Sequence, residues 1–199
     1  MKLAYVLMGL AAMAASLPAS TINFAGGGLL GTSNTYGLVT ATGYLSNGTT
    51  GLLFGKGTAG HTGSEDGLGL HADPTGDDEI FTGTDFIQLS ISSLSGLIQV
   101  AMSSTTGPDH WAVFGSNTAG VLGTGPVLAS GSADDGVLVT VTNATSYKYL
   151  DFTAQTNNVL LQQLSYASTI SSVPEPGTLG IVGLGAVVIG LLRRKLQQN

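Results

Sequence analysis

The chain predicts an all-β protein: a single antiparallel β-sandwich flanked by an N-terminal signal peptide and a C-terminal hydrophobic helix. Three observations carry this. Several segments alternate with a period of two, most clearly Phe86 to Ser92, where Ile87, Leu89 and Ile91 share one face and Gln88, Ser90 and Ser92 the other. Clusters of Gly, Asn, Asp and Ser separate these segments at roughly the 8–12-residue spacing of a sandwich. No convincing amphipathic helix precedes residue 177.

Residues 1–19 read as the signal peptide. Lys2 is its positive start, Leu3 to Ala15 its apolar stretch, and Ala12-Met13-Ala14 or Leu17-Pro18-Ala19 its small-residue end. The β-sandwich domain then occupies 20–167. Its expected strands are Thr21 to Phe24, Tyr36 to Leu45, Leu52 to Phe54, Phe86 to Ser92, Leu97 to Met102, Trp111 to Phe114, Val137 to Thr142, Tyr147 to Phe152 and Val159 to Tyr166. Asn47-Gly48 is a hairpin turn pair after the second of these. Residues 168–172 form a linker, and 173–197 a separate C-terminal segment whose apolar stretch, 178–192, is the transmembrane helix.

Charge narrows the function classes. Between residues 20 and 173 stand two lysines, Lys56 and Lys148, against eleven acids, a net charge of −9. Such a surface repels phosphate backbones and excludes nucleic-acid binding. Cysteine is absent, so stability rests on packing or on bound metal, and thiol chemistry is excluded.

Seven of the eleven acids fall within Glu65 to Asp85. Asp77, Asp78 and Glu79 follow the turn Pro74-Thr75-Gly76, and Glu65 and Asp66 lie across Gly67-Leu68-Gly69-Leu70. Carboxylates on a Gly-rich loop suit Ca²⁺, which takes 6–8 oxygens in flexible geometry. Calcium is therefore the candidate cofactor, with these five residues as ligands. A solvated acidic loop explains the same residues, and no EF-hand spacing occurs. His61 and His71 lack zinc-ligand spacing. His110-Trp111 beside Asp109 reads either as a sugar-stacking platform or as core. No G-x-S-x-G elbow or marked carboxylate pair points to an enzyme.

The C-terminal segment has three parts in order. Pro174-Glu175-Pro176 refuses helix and stays extended. The uncharged run Thr178 to Leu192 is 15 residues, interrupted by glycines and short for a permanent span. Arg193-Arg194-Lys195 holds the tail inside. This arrangement resembles the PEP-CTERM sorting signal of exported bacterial proteins. The resemblance implies cleavage by an exosortase, passage through the export machinery, transient residence in the inner membrane as precursor, and a final place at the cell surface or outside the cell. It also implies exopolysaccharide as a possible partner of the mature protein. The body resembles the jelly-roll-like β-sandwich domains that precede such signals, in Gly67-Leu68-Gly69-Leu70, Asp78-Glu79-Ile80, Phe86-Ile87-Gln88-Leu89, Tyr149-Leu150-Asp151-Phe152 and Val159-Leu160-Leu161. The expected function is non-catalytic, structural or adhesive. Its rivals are a calcium-dependent carbohydrate-binding module and a polysaccharide-acting enzyme.

Overall fold

Period-two segments need partners on both edges, and the chain supplies them in antiparallel ladders. A computed structural model describes residues 19–63, 65–71, 77–83, 85–103, 109–132 and 136–167. The expected signal peptide apart from Ala19, the expected linker 168–172 and the segment 173–197, with the helix expected at 178–192, lie outside these residues. The body, Pro18–Ser168, is one compact unit. Among the described residues no helix is long and apolar enough to cross a membrane.

The first strands are β1 (Ala19–Asn23), β2 (Gly28–Gly31), β3 (Ser33–Tyr36), β4 (Val39–Tyr44) and β5 (Thr50–Lys56). β6 (Gly67–His71), β7 (Ile80–Phe81), β8 (Phe86–Ser90), β9 (Ser95–Ser103) and β10 (His110–Ser116) follow. β11 (Ala129–Ser132), β12 (Val139–Thr140), β13 (Tyr149–Thr156) and β14 (Asn158–Ala167) complete the order. Ten of them form one antiparallel path in the order β11-β10-β13-β8-β4-β5-β6-β14-β9-β12, with β1 and β7 on β14, β2 on β5 and β3 on β4. β5 is the corner: Thr50 and Gly51 pair with β4, and Leu52 to Lys56 pair with β6. The sheet therefore folds over on itself into two layers.

The open end is bridged by backbone. Leu128 N donates to Val113 O at 2.8 Å, Thr142 N donates to Leu128 O at 3.0 Å, and Val141 N donates to Ile98 O at 2.9 Å. This chain of bonds joins β10 to β9 and nearly closes the sheet.

Alternation places the core between the layers. Val39, Ala41, Ile87, Leu89, Val113, Leu150 and Phe152 come from one layer, and Leu53, Leu68, Leu70, Val100 and Met102 from the other. Truncating one such leucine to alanine costs about 2–5 kcal/mol. β14 reaches its neighbours through a bulge: Leu161 faces Met102, Gln163 faces Ala101, and Gln162 is the extra residue. The bulge switches the inward parity from Val159 and Leu161 to Leu164 and Tyr166, all in one core.

The observed strands depart from the expected ones in two instructive places. The segment Tyr36 to Leu45 was expected as one strand. The chain instead makes the β3–β4 hairpin, with Tyr36 facing Val39 across Gly37 and Leu38. Gly37 adopts φ 61°, which only glycine takes without strain, and this turns the chain. Conversely, Gly67 to His71 reads as a Gly-rich loop in sequence yet forms β6, inside the sheet. A Cβ at Gly69 would overlap the Asp78 carbonyl, so glycine is what lets the two backbones pack.

Candidate functional site

The acidic stretch is built first, because it carries the expected metal ligands. β5 and β6 run side by side with Lys56 opposite Gly67. Glu65 lies just before β6 and Glu79 after it, and both return to the end of β5. Lys56 Nζ stands 2.6 Å from Glu65 Oε2 and 2.6 Å from Glu79 Oε1. Glu79 is buried and its partner lysine is half-buried. Burial alone would lower the Lys56 pKa, but the two carboxylates outweigh it and hold the ammonium above its usual range.

The other expected ligands are spent elsewhere. Asp66 accepts from Gly63 N at 2.7 Å and from Thr58 N at 3.2 Å, which folds the 57–63 loop around its carboxylate. Asp78 pairs with His71 Nδ1 at 2.7 Å, and the His71 ring stacks on Phe54 at 5.9 Å. The structure thus brings Glu65 and Glu79 together on a lysine, and sends Asp66 and Asp78 to separate partners. Asp77 also has a partner. Among the described residues no group of three or more His, Asp or Glu converges as a metal site. The sorting residues Pro174, Glu175, Pro176, Arg193, Arg194 and Lys195 lie outside the described residues.

Trp111 is 2 % exposed and packs against Gly131, so it belongs to the core and is no surface platform. An aromatic and hydroxyl-bearing surface exists elsewhere, on the outer face of β4, β8 and β13. Register makes it. Thr40 faces Ser90, which faces Tyr149; Thr42 faces Gln88, which faces Asp151; Tyr44 faces Phe86. Residues two apart on a strand share a face, so these rows form one patch. A groove of about 300 Å³ opens on it, lined by Thr40, Thr42, Tyr44, Gln88, Ser90, Ala119 and Tyr149.

The patch is rigid. Tyr44 stacks on Phe86 with centroids 4.9 Å apart and planes at 19°. Gln88 Nε2 donates to Asp151 Oδ1 at 2.8 Å. Gly120 N donates to Gln88 Oε1 at 2.9 Å, and Gly123 N donates to Asp151 Oδ2 at 2.8 Å. These bonds clip the loop after β10 down beside the groove and bury Asp151 completely. Burial pushes the Asp151 carboxyl up from 3.8 to about 6, against the Gln88 and Gly123 hydrogen bonds that hold it down. Burial, then Tyr149 and Asp151, raise the Tyr44 phenol.

Sequence reasoning placed Gln88 and Ser90 correctly on the outward face of β8 but did not join them to a site. The available signal was the run Thr40, Thr42, Tyr44, which shares one face by period two.

Comparison with known proteins finds one family model. Residues 172–195 match the PEP-CTERM protein-sorting motif. No curated protein and no solved structure matches the chain. The chain therefore carries an exosortase-type sorting motif behind a β-rich body, and the motif implies export, membrane-associated processing by an exosortase, and delivery to the cell surface.

Proposed function

We propose that the chain is a non-catalytic protein that is held, after sorting, at the cell surface or in the exopolysaccharide matrix, where its role is structural or adhesive. The observation that carries this reading is the sorting motif at 172–195, which follows an all-β body in the chain. The body's acidic balance keeps it soluble and apart from other polyanions. The test is fractionation of cells that make the chain, with the wild type compared against a Pro174-Glu175-Pro176 to alanine variant. The wild type is expected in the surface and matrix fractions, and the variant in the inner membrane. Recovery of wild type from the inner membrane alone would overturn the reading.

A saccharide-binding module is the second reading, and the groove on β4, β8 and β13 favours it. Two facing carboxylates, as glycoside hydrolysis uses, are not among the groove's lining residues.

A further inference from the structure

We infer that the groove on the outer face of β4, β8 and β13 is a binding site for a neutral saccharide, and that it works without calcium. The inference deepens the proposed matrix role and takes from it only the setting; the site itself stands on its geometry.

Size comes first. The patch spans three strands and three rows of side chains, roughly 10 Å by 13 Å at ordinary strand spacings. That matches one or two sugar rings, and the volume of about 300 Å³ lies at the small end of ligand sites. Chemistry comes next. A sugar ring offers an apolar C–H face and a rim of hydroxyls that both donate and accept. Tyr44 and Tyr149 supply aromatic faces at opposite corners of the groove. Tyr44 is pinned on Phe86, so its orientation is set before a ligand arrives. Thr40, Thr42 and Ser90 supply hydroxyls, which also donate and accept.

Charge then selects among sugars. Among the described residues no lysine, arginine or histidine lines the groove. The acid beside it is Asp151, buried across the ladder from Gln88. A uronic acid or phosphorylated sugar would lie beside the buried Asp151 carboxyl and find no cation among the described lining residues to pair with it. Neutral sugars carry no such penalty. Calcium has no part, because both Asp151 carboxylate oxygens are bound, to Gln88 and to Gly123, and among the described residues no carboxylate lines the groove.

The test uses the full chain, purified in mild detergent and titrated in EDTA with cellotetraose, maltotetraose and mannotetraose, with tetragalacturonate as the acidic comparison. At least one neutral tetrasaccharide is expected to bind, and tetragalacturonate is expected not to. Tyr149→Ala should weaken binding about tenfold, the loss of one aromatic contact. Because removing a ring can unsettle a strand, Ser90→Val serves as a second variant that keeps β propensity and loses one hydroxyl. Its binding should weaken severalfold at an unchanged circular dichroism spectrum. The inference is overturned if no neutral probe binds at millimolar concentration, if both variants bind as wild type does, if tetragalacturonate binds equally, or if binding needs CaCl₂. A chain found in the matrix that binds none of these sugars would sink the inference and leave the proposed function standing. A chain that binds sugar in solution but never reaches the matrix would do the reverse.

Discussion

Gln88 and Asp151 sit directly opposite each other on β8 and β13, and the Gln88 amide donates to the Asp151 carboxylate across the ladder at 2.8 Å. Each also accepts one backbone N–H from the loop after β10, Gly120 on Gln88 and Gly123 on Asp151. A cross-strand pair thus carries a loop, and the loop borders the groove.

That coupling is measurable. Asp151→Asn replaces one acceptor oxygen by a donor, so either the Gly123 N–H or the Gln88 amide loses its partner. The expected cost is about 1–3 kcal/mol in urea unfolding. Gln88→Leu should cost a similar amount. The double variant should cost less than the two single costs added together, because both substitutions act on one hydrogen-bonded cluster and either alone disturbs it. Strict additivity would show the pair to be independent.

The same carboxyl makes stability depend on pH. Its folded value, about 6, lies above its unfolded 3.8. Between those values the folded state holds more protons, so this group's contribution falls as pH rises through the window and is level above it. The wild type, compared with Asp151→Asn by chemical unfolding at pH 4 and at pH 7, should lose about 2 kcal/mol more across that interval. A difference that stays constant with pH would show that Asp151 keeps an ordinary carboxyl.

Lys56 answers two acids at once. Lys56→Met should take the ammonium away from the buried Glu79 carboxylate and lower stability by about 1–3 kcal/mol, less than for a fully buried pair because the lysine is partly exposed. Glu65→Gln should cost far less, since Glu65 is exposed. With the lysine pKa raised, the pair contributes in full at neutral pH and is lost only as pH climbs through its folded value. Thermal melts of the three proteins at neutral pH check the order.

Calcium is tested by melting the protein in millimolar CaCl₂ against EDTA at matched ionic strength. Four of the five expected ligands already have partners in Lys56, His71 and the 57–63 loop. Equal melting temperatures are therefore expected. A calcium-dependent rise that Asp78→Asn abolishes would establish the metal site instead.

Processing should shorten the chain at both ends. Intact-mass measurement on protein recovered from outside the cell is expected to show loss of residues 1 to about 14–19 and of the segment after Pro174-Glu175-Pro176. Recovery of the whole chain through Asn199 would count against both cleavages.

Much of the strand pattern could be read from the chain alone. Ile87, Leu89, Ile98, Val100 and Met102 are buried where period two puts them. The Asn47-Gly48 turn forms as expected, with Gly48 N donating to Leu45 O at 2.8 Å and Asn47 Oδ1 accepting from Thr49 N at 2.9 Å. β6 was not legible, because Gly-Leu-Gly-Leu has no polar half to alternate with and its glycines answer a neighbour seven or more residues away. The Gln162 bulge was hidden for a similar reason, since an unpaired residue shows only against its partner strand.

The sorting motif and the alternation of the strands are local properties. Each is written in residues that are neighbours in the chain, so the sequence by itself determined the destination and the fold class. The groove is a different kind of object. Thr42, Gln88 and Asp151 are far apart in sequence and meet only because the β4, β8 and β13 ladders fix their register. Lys56, Glu65 and Glu79 meet because β6 lies against β5 and returns both acids to one end. Charge counting could show that the stretch was acidic. Only the tertiary structure decided that a lysine from β5 would pair with two of its acids, because pairing depends on distance in space and the linear chain does not carry that distance.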